Sequence, residues 1–210
     1  MAAERGPPAR REHCLLTTDN RSDAELLAAV ADGQSDALGV LVRRHQSNVL
    51  ALANRFLGRW NLSEDVAQDV FIRVFRSAAE YRPQARFTTW LYRIVVNRCL
   101  DVKRGQRRAP APLPGGDTAP STPAAPDPVE RREACDRVRL AVAALPDRQR
   151  MAVLLHRYED LSHREIAGAM ECTQGAVESL LVRGYASLRQ ALADLDESGN
   201  PAAGNQSGER

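Results

Sequence analysis

The sequence predicts an all-α protein: two small helical domains joined by a flexible Pro/Ala-rich linker. Three observations carry this. Apolar residues recur three and four positions apart through most of the chain between residues 22 and 195, the period of a helix with one buried side. Ser-x-x-Glu signatures, Ser22 with Glu25 and Ser162 with Glu165, stand where such runs begin. The one long break, 105–127, reads GQRRAPAPLPGGDTAPSTPAAPD; it has no apolar period, and its prolines forbid helix and central strand.

The bulk properties narrow the class. A chain of 210 residues is long enough for one or two domains, each able to bury a core. A net charge of +2 is close to neutral, so any attraction to nucleic acid must come from local basic patches. The four cysteines, Cys14, Cys99, Cys135 and Cys172, form no C-x-x-C pair, which argues against a zinc site or disulfide framework and for a reducing compartment. No apolar run has the length of a membrane span, and the N-terminus lacks a signal-peptide core, so a soluble cytoplasmic protein without stable membrane insertion is expected.

In chain order, 1–21 mixes proline, glycine and charge without a period and reads as a disordered extension. The first helix runs from the Ser22 box through Val30 and breaks at Asp32-Gly33. Ala37, Leu38, Leu41, Val42, Val49, Leu52, Ala53 and Phe56 continue at helical spacing to Gly58. The next helix spans 61–79, capped by Asn61 with Glu64, or by Ser63. Its stripe is Val66, Val70, Phe71, Val74 and Phe75, with Asp65, Gln68, Asp69, Ile72 and Arg76 off it. A charged loop from Tyr81 to Arg86 leads into a helix with Trp90, Leu91, Ile94 and Val95 on its apolar side and Thr88 or Thr89 as cap. Arg93, Asn97, Asp101 and Arg104 share the opposite face, and Lys103, Arg104, Arg107 and Arg108 make a basic end. Such a face can bind nucleic acid or can simply be solvated, with Trp90 as a core anchor.

After the linker, Asp127, Pro128 and Glu130 supply cap, first turn and N3 of a helix whose apolar face is Val138, Val142 and Leu145, ended by Pro146. A helix from Arg148 to Tyr158 centres on Met151, Val153, Leu154 and Leu155. Then Ser162 and Glu165 box a short helix with Ile166 and Met170 inward, Glu171-Cys172 turn, and Thr173 caps a second helix with Val177, Leu180, Leu181 and Leu188 inward. That spacing fits a helix-turn-helix at about 162–190, whose second helix would enter the major groove N-terminus first. The polar tail, 196–210, reads as disordered.

The string F-x-x-W-L-Y-R-I-x-x-N-x-x-x-D-x-x-R, Phe87 through Arg104, resembles the promoter-recognition helix of bacterial sigma factors of the extracytoplasmic-function (ECF) group. E-D-x-x-Q-D-x-F, Glu64 through Phe71, resembles the segment by which such factors grip the polymerase's largest subunit, and L-P-x-x-x-R, Leu145 through Arg150, precedes the helix-turn-helix as in their region 4. The resemblance implies region 2 at 22–104, the linker at 105–127 and region 4 at 128–195. It implies an alternative sigma factor, monomeric when free, with RNA polymerase core, promoter DNA and an anti-sigma factor as partners. On it, Tyr81, Arg82, Arg86, Phe87, Trp90, Arg93, Asn97, Asp101 and Arg104 would meet the minus-10 element. Thr173, Gln174, Glu178, Ser179 and Arg183 would meet the minus-35 element, and Asp65, Gln68, Asp69 and Phe71 the core.

Two departures bear on specificity. The recognition helix of the family often reads T-V-K/R-S-R; here it is Ala176-Val177-Glu178-Ser179-Leu180, and Glu178 would repel a phosphate or accept a hydrogen bond from a cytosine amino group. Asp101 stands where some members carry an amide. His13, His45, His156 and His163 are scattered and no Ser-His-acid set or phosphate loop is readable, so neither catalysis, cofactor nor metal is expected. A stand-alone helix-turn-helix regulator of duplex DNA is the alternative; it leaves the Phe87–Arg104 block and the acidic Asp65–Asp69 segment without a role.

Overall fold

The structure is a computed structural model, and it describes residues 19–82, 86–108 and 129–193. These form eight α-helices and a single 3-10 turn, with no strand among the described residues: α1 (Asp23–Ala31), α2 (Ser35–Leu57), α3 (Trp60–Arg76), the turn Ala78–Glu80, α4 (Phe87–Arg108), α5 (Val129–Ala144), α6 (Asp147–Tyr158), α7 (His163–Ala169) and α8 (Gln174–Ala191). Residues 1–18 of the expected N-terminal extension, the expected tail 196–210, the Asp127-Pro128 cap and residues 83–85 of the charged loop lie outside the described residues; Asp19 and Arg21 are described, and the Arg21 amide donates to Asp19 at 3.0 Å.

Local chemistry sets the helix ends. Ser22 and Ser162 each make the full reciprocal box: hydroxyl to the N3 amide, N3 glutamate back to the cap amide. At the far end of α2, Gly58 takes φ +70°, the left-handed cap that glycine adopts without Cβ strain, and its amide donates to Asn54. Two expected caps are replaced. α3 begins at Trp60 after Arg59, so Asn61 lies inside the first turn, its Oδ1 accepting from the Leu62 amide at 2.8 Å, and Ser63 is buried with its hydroxyl donating to Arg59 O. α4 begins at Phe87, so Thr88 and Thr89 are helical residues and not caps. α4 also runs through Gly105–Arg108, four residues into the stretch read as linker, because the first proline comes only at Pro110.

α1 to α4 enclose one core, with Leu26, Leu27, Leu41, Val49, Leu52, Phe56, Val66, Val70, Val74, Leu91 and Val95 fully buried. Each such aliphatic or aromatic side chain removed from water stabilises the fold by about 1.5–3 kcal/mol before entropy is counted. α6, α7 and α8 enclose a second, built on Met151, Leu154, Leu155, Ile166, Val177 and Leu181, with Leu180 and Leu188 half-buried at its edge. Two apolar expectations fail at the rims: Phe75 is 50 % exposed at the end of its stripe, and Val138 on α5 is exposed, since α5 packs only lightly on α8. The two cores abut, α4 lying on α7 and α2 on α6.

α8 crosses α6 so closely that a Cβ on Gly184 would stand 2.9 Å from a Val153 methyl. That methyl is one bond from its own Cβ and cannot swing aside. Gly184→Ala should therefore lower the melting temperature of the C-terminal helices, overpacking of about 1–3 kcal/mol outweighing the roughly 1 kcal/mol that alanine gains in a helix. Gly175→Ala, with nothing within 4 Å, is the control that should not destabilise. Circular-dichroism melts decide it; a higher melting temperature for Gly184→Ala would show that the helices can spread at no cost.

Candidate nucleic-acid and polymerase interface

The wet face of α4 is built as its spacing predicts. Arg93, Asn97, Asp101 and Arg104 are all exposed along one side. At its N-terminal end stands an aromatic cluster: the Tyr81 and Trp90 rings meet edge-on with centroids 5.3 Å apart, and Phe87 lies 5.8 Å from Trp90 and 5.3 Å from the His45 ring. Tyr81 and Trp90 are half-buried, so each keeps an accessible edge beside the row of polar groups. Phe87 is 5 % exposed, a support under the other two and not a surface for a base. Arg82 and Arg86 are exposed on the approach to the helix. Asp101 accepts from Arg104 one turn on, so this guanidinium shares its charge before any phosphate arrives.

The acidic segment of α3 divides in two. Asp65 and Gln68 are exposed and free to meet a partner. Asp69 is held by Arg98 of α4, whose Nε donates to its carboxylate at 2.7 Å, so reversing Asp69 would also set two cations together inside the domain. Beyond them α3 carries Ile72, 42 % exposed, and Phe75. These two, with Phe71 beneath, line an open apolar groove of about 970 Å³ whose other wall is Leu38, Val42 and Leu50 of α2. The sequence reading found Ile72 as a lone exposed apolar residue and missed the groove, because its second wall lies on another helix.

α7, a tight turn and α8 form the helix-turn-helix. Glu171 in that turn takes φ +50°, and Cys172 is half-buried beside it. Thr173 Oγ1 accepts from the Ala176 amide at 3.2 Å, leaving Gln174, Glu178, Ser179 and Arg183 exposed along the first three turns of α8. Glu178 stands 3.7 Å from His163 of α7, and Arg183 donates from Nε to Ser179 O. The leucine–proline–arginine signature has a physical meaning here. Arg150, only 7 % exposed, donates to Ala143 O and Leu145 O, closing the end of α5, and to Phe56 O of α2 at 3.0 Å. Burial lowers its affinity for the proton, yet three carbonyls and the Phe56 ring face it.

Among the described residues no three His, Cys, Asp or Glu gather as metal ligands, and no helix is long and apolar enough to cross a membrane. Burial pushes the Cys99 thiol up to about 12, far from reactive thiolate chemistry.

A polar, aromatic-flanked helix beside one core and a helix-turn-helix on the other form an arrangement suited to binding DNA at two places. The comparisons carry this further. Residues 41–109 match Sigma-70 region 2, and residues 135–188 match Sigma-70, region 4. The chain is 34 % identical to the ECF RNA polymerase sigma factor SigE of Mycolicibacterium smegmatis, over 92 % of this chain and 79 % of that one. It is 36 % identical to the RNA polymerase sigma factor CarQ of Myxococcus xanthus, over 79 % and 94 %. Among solved structures, CnrH in complex with the cytosolic domain of CnrY superposes with a TM-score of 0.62 at 28 % identity, covering 83 % of this chain and 98 % of that one. The sigma factor RpoE of Bartonella quintana, solved with the anti-sigma factor NepR, shares the fold at a TM-score of 0.59 and 18 % identity, over 72 % and 94 %. The chain belongs to the ECF RNA polymerase sigma factors of the sigma-70 family. Sigma factors are transcription initiation factors: this one binds polymerase core and directs it to promoters.

Proposed function

We propose that α4 reads the minus-10 element of an opened promoter through Arg93, Asn97, Asp101 and Arg104, with Tyr81 and Trp90 offering ring edges to an unpaired base and Arg82 and Arg86 meeting the backbone. The observation that supports it most is the conjunction of one continuous polar face with half-open aromatics at its upstream end. Bases taken out of the duplex cost a few kcal/mol each, and stacking plus edge hydrogen bonds offset that cost. Phe87 acts beneath this surface. The N-terminal turns of α8, with Thr173, Gln174, Glu178, Ser179 and Arg183, enter the major groove at the minus-35 element. Core polymerase is gripped by Asp65 and Gln68 together with the Ile72–Phe75 side of the groove, Phe71 and Asp69 serving from behind. The protein works in the cytoplasm as a monomer when free, and not as an enzyme. An anti-sigma factor restrains it; RpoE of Bartonella quintana, which shares this fold, was solved with one.

Asn97 can donate and accept at a base edge, and alanine can do neither. Asn97→Ala should cost about 1–3 kcal/mol of promoter binding and relax preference at one minus-10 position. Arg104→Ala should weaken all promoters alike and flatten the salt dependence, by less than a full phosphate contact because Asp101 already shares the charge. Permanganate footprinting of minus-10 variants with each mutant holoenzyme is the measurement. If Asn97→Ala opens every variant as the parent does, base reading lies elsewhere.

A further inference from the structure

The outward face of α8 carries less charge than a helix side built only for water. At 100° per residue, the sector of 174–186 from Glu178 to Arg183 spans about 140° and lies away from the buried Val177, Leu181 and Gly184. Between those two charges the sector holds Gly175, Ser179, Val182 and Ala186, all exposed and none charged. A solvated face is ordinarily made of charged and polar residues, most of which also form helix at least as well as valine.

Val182 is 70 % exposed, the most exposed of the large apolar side chains among the described residues. Of its neighbours one turn away, Glu178, Ser179 and Ala186 are charged or small, and Tyr185 is half-buried with its hydroxyl 2.9 Å from His156 Nδ1. Val182 therefore belongs to no apolar patch along its helix. To a protein partner a single valine offers little, since interface anchors are large side chains seated in covered pockets. The major groove offers it a fit: the C5-methyl of thymine is the apolar group on the base edges there, and small apolar side chains pack on it.

Glu178 stands one turn before Val182. Its carboxylate lies 3.7 Å from the His163 ring of α7 and stays half exposed. In the groove a carboxylate is repelled by the phosphates of both strands, and among base-edge groups its complement is the N4 amino group of cytosine. Positions four apart on a helix are about 6 Å apart at Cβ. Base pairs rise about 3.4 Å, so the two side chains reach pairs no more than about two steps apart. Arg183, whose Nε donates to Ser179 O at 3.1 Å, carries on the far edge of the face the charge that a phosphate takes.

We infer that Glu178 and Val182 are a specificity pair: Glu178 accepts from the N4 amino group of a cytosine, and Val182 covers the methyl of a thymine within about two base pairs of it. The inference rests on the assignment of the N-terminal turns of α8 to the minus-35 element. It carries its own signature. Removing Glu178 also removes its repulsion from phosphates, so selectivity falls while affinity for the other sequences does not.

The test is selection by the holoenzyme from a promoter library randomised across the minus-35 element. The parent should enrich a cytosine about tenfold or more, with a thymine within about two base pairs on either strand. Glu178→Ala should erase the cytosine preference and bind the members lacking that cytosine at least as tightly as the parent does. Val182→Ala should keep the cytosine preference and lose the thymine one. Deoxyuridine in place of that thymidine removes only the methyl; it should weaken the parent about fourfold and leave Val182→Ala unaffected. A parent without the cytosine preference, a Glu178→Ala variant that keeps it, or a deoxyuridine cost that is absent in the parent or equal in both overturns the pair. Arg183→Ala separates the two levels of failure, because it should weaken every library member alike. If it does so while Glu178→Ala and Val182→Ala select as the parent does, the pair is overturned and α8 still lies at the element. If all three variants bind and select as the parent does, the assignment of α8 falls with it.

Discussion

Changing Ile72 and Phe75 together to alanine is expected to abolish stable holoenzyme formation at moderate salt while leaving the fold intact. Both side chains are about half exposed on the free protein, so their loss removes little packing; surface changes away from buried features usually stay within about 0.5 kcal/mol. In a complex, an aromatic and a β-branched side chain seated in a covered groove act as anchors, and truncating such anchors costs about 2–4 kcal/mol, roughly 30- to 1,000-fold in affinity. Asp65→Arg should act differently, slowing association and flattening its salt dependence more than it speeds release, because rim charges mainly steer encounter. Titration of core against a fluorescently labelled chain measures both. Affinity within threefold of the parent for the double alanine variant would move the grip away from the groove.

Phe56→Ala is expected to be the most damaging single change to the fold. Phe56 is fully buried near the end of α2, and its ring faces the Arg150 guanidinium while its carbonyl accepts from the same group. Truncation leaves a cavity that neighbouring helices fill only in part, at about 3–5 kcal/mol. A domain of this size has a total stability of only about 5–15 kcal/mol, so much of that margin is gone. Calorimetry should show a melting temperature at least 10 °C lower, with a fall of about 4–8 °C for each kcal/mol in so small a unit. A drop under 5 °C would mean that α2 and α6 close over the gap.

What the sequence made legible was local. Both capping boxes, the Gly58 stop, the Thr173 cap and the wet face of α4 each follow from residues within one or two turns of each other, where side-chain spacing alone decides geometry. What it concealed depends on partners distant along the chain. Helical spacing put Phe75 in a stripe but could not say that, among the described residues, the stripe's end is left half exposed. The acidic patch read as open, but Asp69 meets Arg98, 29 positions away. Thr89 looked like a cap and is a packing residue, because Gly168, far along the sequence, leaves room for it. Arg150 was visible within a signature, yet its reach to Phe56 spans 94 positions and has no local trace.

The buried residues of α4 span about 220° of its circumference at 100° per residue, and that width governs how freely its sequence can vary. A surface helix ordinarily leaves more than half its circumference to drift, since most polar residues serve there equally well. On α4 only about 140° remains to water, and that sector holds the residues proposed to read the promoter. Saturation mutagenesis of 87–104 should therefore find scarcely a neutral position and should sort the losses by angle. Changes at Leu91 or Val95 would lower protein abundance, and changes at Asn97 would alter which promoters fire. Changes at Thr89, Tyr92 or Val96, buried on the flank that α7 covers, would lower abundance as well.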